Sequence, residues 1–369
     1  MTENIYIDFA TLKALMRDIF IGAGVPPADA EICADVLICA DRLGIDSHGV
    51  GRLKPIYIDR LRAGIQQPVT RIEYLRTTPT TAVIDGHDGM GMVIAREAMQ
   101  CAIDKAREYG MGMTAVRNST HFGIAGYYGL MAAENGMVGI IGTNARPSTA
   151  PTFGVDNMLG TNPLTFVMPT DEEFPFFLDC ATSVSQRGKI EVYDRMNKDI
   201  PHGWVIDVNG NDRTDTHQIL EDLLHGQAAL APLGGIGEEH AGYKGYGYAT
   251  VVEILSAALQ QGNFLRALSG FSASGEKQPY RLGHFFIAIN VEAFSGLEEF
   301  KRTTGEILRA LRASRKAPGH GRIYTAGEKE YLTQCERAGT GVPIPPPLQK
   351  ILVELCRDYQ LTAYQKLFA

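Results

Sequence analysis

A chain of 369 residues, 45% of them hydrophobic, is long enough to bury a sizeable core in two domains or one large one. Its net charge of -7 comes from acidic and basic residues scattered along the chain, which excludes the basic face that a nucleic-acid partner needs. Six dispersed cysteines (Cys33, Cys39, Cys101, Cys180, Cys335, Cys356) form no CxxC pair, so neither a disulfide framework nor a metal site is expected.

Met1 to Asn4 lack the basic and apolar regions of a signal peptide, and no apolar run reaches membrane-spanning length. A cytoplasmic protein with no membrane partner is therefore expected. Leu12, Leu15, Met16, Ile19 and Phe20 repeat at helical spacing, and Gly22 and Gly24 end that run. Ile32, Val36, Leu37, Ala40 and Leu43 mark a second helix, closing near Gly44. A third, through Ile56, Tyr57 and Leu61, closes at Gly64. The middle alternates. Strands are predicted at Thr81–Asp85, Met113–Val116 and Val138–Gly142, with helices at Ile94–Glu108 and Ala125–Glu134 between them, which is an α/β pattern. Leu164–Met168 and Phe176–Asp179 suggest a hairpin. A helix from Tyr246 to Gln261, a strand from His284 to Val291 and a helix through Leu297 and Leu311 follow. The tail reads as looser, broken by Pro343, Pro345, Pro346 and Pro347, with a final helix from Leu348 to Tyr359. The two helical ends are expected to pack together around an inserted α/β part.

Between the second and third helices lies Asp46-Ser47-His48-Gly49-Val50-Gly51-Arg52. His48 titrates near neutral pH, and Arg52 can clamp a carboxylate through two parallel hydrogen bonds. Ser47 can orient the imidazole or a substrate oxygen. The plainer readings are a histidine capping a helix end and an arginine paired with Asp46 or Asp59. A second histidine, His121, falls in Asn118-Ser119-Thr120-His121-Phe122-Gly123, at a strand-to-helix junction where open α/β sheets place ligands. Gly123 permits close backbone approach there; a simple helix cap is the alternative.

Two glycine clusters read differently. Gly86, Gly89 and Gly91 follow a strand and open a helix, but Ile94 stands where a dinucleotide fingerprint wants its third glycine. A tight turn with close helix packing is expected instead. Leu233-Gly234-Gly235 with Lys244-Gly245-Tyr246-Gly247 could hold a pyrophosphate on free N–H groups, or be a flexible loop. Asp179-Cys180-Ala181-Thr182-Ser183 could bond a ribose or orient a histidine, or be an ordinary strand-end turn.

The 46–52 and 118–123 segments, Gly160-Thr161-Asn162-Pro163, the Asp179 segment followed by Arg187-Gly188-Lys189, and the Gly234/Lys244 pair occur in one order. Together they resemble the malate/L-lactate dehydrogenase family of the second type, over about residues 10–325. The resemblance implies a central mixed-sheet NAD(P)-binding domain of non-Rossmann type (76–304), inserted between helical segments that form a second domain (1–75 plus 305–369). It also implies a homodimer and an NAD cofactor, with NADP as the alternative. The substrate it implies is a small 2-hydroxy or 2-oxo acid, malate first, then lactate, sulfolactate, ureidoglycolate or diketogulonate. Reduction of a cyclic imino acid and a non-catalytic nucleotide-binding protein are the rivals.

By motif match, His48 and His121 are the catalytic pair, with Ser47 and Asp179 beside them. His48 is assigned the proton transfer and His121 positioning, or the reverse. Arg52 grips the substrate carboxylate. His121, Gly123, Asn144, Asp179, Cys180, Ala181, Gly235 and Lys244 fall where the family contacts its cofactor, as do Gly319 and Arg322 in a late loop. Where many members continue with small serines, this chain has Ala145-Arg146, so Arg146 is expected to add a second anion contact.

Overall fold

The computed structural model describes residues 3–368. It starts with a short strand, β1 (Ile5–Ile7), then α1 (Phe9–Gly22) and α2 (Pro27–Arg42). The apolar stripe of α1 is buried as its spacing predicts, and Asp8 caps the helix by accepting from the Thr11 N–H. Pro27 opens α2, where its missing N–H leaves no bond unmade. Residues 50–62 then wind in three modes. A 3₁₀ turn (Val50–Arg52) passes into a π-helical turn (Leu53–Ile58) and a single α turn, α3 (Asp59–Arg62).

The centre comprises β2 (Glu73–Thr77), β3 (Thr81–Asp85), α4 (Gly91–Tyr109), β4 (Met111–Ser119), α5 (Ala125–Glu134), β5 (Met137–Thr143), β6 (Leu164–Met168) and β7 (Phe176–Cys180). A small unit follows: α6 (Arg187–Arg195), β8 (Val205–Asp207), β9 (Asp212–Arg213), α7 (Thr216–His225) and β10 (Ala228–Leu230). The chain then forms α8 (Gly242–Ala257), β11 (Leu282–Asn290), α9 (Leu297–Ala313), α10 (Glu328–Thr340), β12 (Val342–Ile344), α11 (Pro346–Asp358) and α12 (Thr362–Gln365).

Seven strands form one mixed sheet in the order β2-β3-β4-β11-β5-β6-β7, in which only β3 and β4 pair in parallel. The expected mixed sheet is present, and β6 and β7 form the expected antiparallel hairpin. The three-stranded β10-β8-β9 sheet had no counterpart in the sequence reading. Strands of two or three residues are too short to show a period.

The proline-broken tail is also more ordered than expected. β12 pairs with β1, and Pro343 sits opposite Tyr6 in a two-stranded ribbon, an edge position where a missing N–H is tolerated. Leu12, Phe20, Val36 and Tyr57 share one core with Val342, Ile344, Leu352 and Leu355, so both ends of the chain close a single apolar cluster. A second core packs α4 and α5 on the sheet through Met99, Ile103, Tyr128, Ile141 and Phe286. A third, around Ile190, Val205 and Ile219, holds the small unit.

Candidate active site

Strand direction decides what meets at one edge of the sheet. Leu282 lies opposite Ser119, His284 opposite Thr143, and Leu164 opposite both Gly142 and Cys180. The ends of β4, β5 and β7 and the starts of β6 and β11 therefore share that edge, where α/β sheets hold ligands. The winding segment 50–62 and the start of α6, with Gln186 before it, close over it. The cleft between them holds about 310 Å³ and is lined by His48, Arg52, Ile56, Arg60, His121, Arg146, Asn157, Gln186 and Tyr280, among others. Among the described residues, no carboxylate lines it.

The two histidines predicted from sequence lie together, their rings 5.7 Å apart and 19° from parallel. Ser47 Oγ is 2.9 Å from His48 Nδ1. The Gly123 N–H, which can only donate, reaches His121 Nδ1 at 3.3 Å, and Tyr57 Oη lies 2.7 Å from the same atom. His121 Nδ1 therefore carries a lone pair, Tyr57 donates to it, and the ring proton sits on Nε2. Burial, reinforced by Arg52, lowers the His48 pKa from 6.5 to about 4. Burial and the charges of His48, Arg60 and Arg52 push His121 well below its ordinary value. Both imidazoles are thus neutral at physiological pH. His121 is fixed as a donor through Nε2, and His48 is the ring whose proton placement Ser47 leaves free.

The surrounding loops are braced from several sides. Thr120 Oγ1 accepts from the Gly91 N–H and donates to the Gly89 carbonyl, at 2.9 and 2.8 Å. A Cβ on Gly91 would fall 2.3 Å from the Thr120 carbonyl oxygen. The 86–91 glycines therefore pack a turn against the His121 loop, as expected, and form no dinucleotide fingerprint. Phe122 is stacked between His284 and Tyr128, with ring centroids 4.5 and 5.1 Å away. On the other loop, the Asp41 carboxylate accepts from the Val50 N–H at 2.8 Å, and a Cβ on Gly49 would overlap it.

Arg337 grips Asp46 with two bonds of 2.6 and 2.9 Å, and Lys54 pairs with Asp59 at 3.1 Å. The carboxylates that sequence reading set against Arg52 as partners are thus engaged elsewhere. Among the described residues Arg52 donates only to the Ser47 carbonyl, and its Nη2 faces Gly188, so its guanidinium retains free donors.

The other sequence candidates separate. Arg146 is exposed and lines the cleft. Gly123, at φ +79°, does not line it; the close approach it permits is by Val36, whose Cγ1 would lie 2.4 Å from a Cβ there. Asn144 is fully buried. Its amide donates to the Asn263 carbonyl and accepts from the Gly283 N–H, tying β5 to β11. The Asp179 carboxylate accepts from the Gly126 N–H at 2.7 Å and from Thr165 Oγ1 at 2.8 Å, which caps α5. It lines no part of the cleft and touches neither histidine, and the structure places it against the N-terminus of α5. Cys180 and Ala181 precede α6 without lining the cleft.

Gly235 lines a neighbouring cleft of about 320 Å³, together with Thr152, Ile206 and Gly237. Lys244 is exposed at the start of α8, its ammonium 5.8 Å from the Tyr243 ring centre. Gly319 and Arg322 lie on an exposed loop where Arg322 pairs with Glu328, outside both clefts. Sequence reasoning missed Tyr57, Arg60 and Tyr280 as site residues. The spacing of Ile56, Tyr57 and Leu61 fits an ordinary helix, whereas the chain winds as a π turn at Tyr57, whose hydroxyl meets His121.

Proton abstraction by a neutral imidazole, beside a guanidinium free to hold an acid, suits oxidation of a carbinol next to a carboxylate. The protein is an oxidoreductase acting on a CH–OH group. It belongs to the malate/L-lactate dehydrogenase family, whose model matches residues 7–353. The chain is 45% identical to a malate dehydrogenase of Pyrococcus horikoshii, over 90% of this chain and 88% of that one. It is 39% identical to an L-sulfolactate dehydrogenase of Methanocaldococcus jannaschii, over 95% and 96% of the two chains. The crystal structure of a malate dehydrogenase from Entamoeba histolytica superposes with a TM-score of 0.94 at 44% identity, covering 97% of this chain and 99% of that one. Membership implies a nicotinamide cofactor.

Proposed function

We propose that this protein interconverts malate and oxaloacetate with NAD, NADP being the alternative cofactor. The observation that carries the reading is the Arg52 guanidinium, which meets no carboxylate among the described residues, beside two neutral histidines in one cleft. Arg52 holds the acid next to the carbinol through its planar fork, which a lysine reproduces poorly. His121 donates through Nε2 to the substrate oxygen. Donation from His48 Nδ1 to Ser47 Oγ leaves a lone pair on Nε2, and that atom takes the hydroxyl proton. The nicotinamide cofactor, when bound, accepts or returns the hydride.

The residues present fit such a cofactor. Asn157 Oδ1 and Thr152 Oγ1 are buried without partners among the described residues, one at each of the two clefts. The clefts adjoin across the Ala150–Leu230 hydrogen bond. Amide and hydroxyl donors of a dinucleotide would satisfy both acceptors. Asn157 would hold its nicotinamide end, and Thr152 and the Gly235 loop the other.

A homodimer accords with the outer face of α8, where Tyr248, Val251 and Ile254 are 56%, 47% and 54% exposed next to Phe264. Such an apolar face calls for a partner surface. Among the described residues, no helix is long and apolar enough to cross a membrane, and the proposed location is cytoplasmic.

The test follows absorbance of the reduced cofactor, offering NADH or NADPH with oxaloacetate, pyruvate, sulfopyruvate and oxalurate. Oxaloacetate turnover well above the others supports the reading. Preference for another acid reassigns the substrate, and silence with all of them refutes the reading. Light scattering on the eluted peak checks the dimer.

A further inference from the structure

We infer that Arg60 is the specificity residue of this cleft, binding a second acid group on the substrate, with Arg146 at the mouth adding to the field. The inference rests on the proposed reaction and deepens it. The substrate class is a 2-hydroxy acid carrying a further carboxylate or sulfonate.

Arg60 sits in α3, just past the π turn, and lines the same cleft as Arg52 and the histidines. Arg17, Arg62, Arg117, Arg309 and Arg337 each meet a carboxylate. Arg60 has neither an ion pair nor a side-chain hydrogen bond among the described residues, and Arg146 is in the same position. Yet Arg60 is half-buried: partial burial pushes its pKa down, and the charge of Arg146 adds to that shift. A half-buried cation without a counter-charge is unfavourable, and a bound anion would relieve it.

The guanidinium carbon lies 4.2 Å from the centre of the Tyr280 ring, and among the described residues none of its N–H donors has a partner. Such a guanidinium can donate to a carboxylate or a sulfonate. Arg52 answers the acid beside the carbinol, and a monoacid would leave Arg60 unmatched. A dianion would satisfy both.

The experiment compares kcat/KM for oxaloacetate, sulfopyruvate and pyruvate in the wild type, R60Q and R60K. The wild type should favour the two dianions over pyruvate. R60Q should shrink that preference by roughly 10- to 150-fold, the scale of one charge-assisted hydrogen bond. R60K should recover only part of it. The oxaloacetate and sulfopyruvate arms show which acid the site takes. An unchanged dianion-to-pyruvate ratio in R60Q overturns the inference, even if all three rates fall together. Turnover of no 2-oxo acid by the wild type would instead overturn the proposed reaction. A second readout is independent of turnover. Dianions should raise the wild-type melting temperature more than pyruvate does, and that excess should vanish in R60Q; an excess that survives overturns the role of Arg60.

Discussion

Acidification tests the histidine pair directly. A histidine with an ordinary pKa of 6.5 is about one-tenth neutral at pH 5.5. With the pKa of His48 lowered to about 4, nearly all of it stays neutral there. If His48 Nε2 is the base, kcat/KM for malate oxidation should be nearly flat from pH 7 to pH 5.5, once the ionisation of malate itself is taken into account. An unperturbed histidine would cost about tenfold over that interval. The sign reverses for reduction. There the free enzyme must be protonated, so kcat/KM for oxaloacetate should rise about tenfold per unit of pH lowered, down toward pH 4. The assay is a set of initial rates in overlapping buffers at low substrate, where kcat/KM reports the free enzyme. A tenfold loss of oxidation between pH 7 and pH 5.5 would show that burial and Arg52 do not depress the base, and His48 could not then be assigned from its surroundings.

Arg52→Lys should raise KM roughly 10- to 100-fold with a smaller change in kcat, and His48→Ala should lower kcat by roughly 10²- to 10⁴-fold; equal, small effects from both would sink the site. Tyr57→Phe removes the 2.7 Å donor to His121 Nδ1 and leaves only the Gly123 N–H. It should lower kcat roughly tenfold and cost about 1 kcal/mol of stability, and unaltered kinetics would remove Tyr57 from the machinery. Asp41→Asn keeps an oxygen for the Val50 N–H but cannot ionise. Burial raises the Asp41 pKa from 3.8 to about 8, so the native state favours the protonated acid, and its contribution to stability is lost as pH rises from about 4 to about 8. The variant's advantage in denaturant titrations should therefore grow over that range, reaching about 1–3 kcal/mol at its alkaline end, and a difference independent of pH would contradict the assignment.

The local grammar of this site was legible in the sequence, but its assembly was not. His48, His121 and Arg52 were recognisable from residue type and spacing, because proton transfer and carboxylate binding need those groups. The mixed sheet followed from alternating periods together with the resemblance. Asn144 and Asp179 share motifs with cofactor-binding segments, yet their polar atoms close a strand end and cap α5. A motif records that a residue is needed, not whether a ligand or the backbone needs it. Arg60 escaped notice for the opposite reason. Its significance lies in the partner it lacks, and a missing ion pair is visible only once all the neighbours are placed. The β8–β9–β10 unit escaped because its strands are too short to carry a period.

The π turn at Leu53–Ile58 closes with the Asp59 N–H bonded to the Lys54 carbonyl, five residues back. Such a turn accommodates one residue more than an α turn while its flanks keep their direction. Chain length within this stretch is therefore a control on the cleft that is separate from side-chain identity. Losing one residue between Lys54 and Ile58 would restore ordinary winding, leaving Arg52 and Arg60 at the two ends but turning the Tyr57 ring away from His121. Substrate grip and histidine alignment could then change independently, through the number of residues in one turn and without any substitution among the groups that touch the substrate.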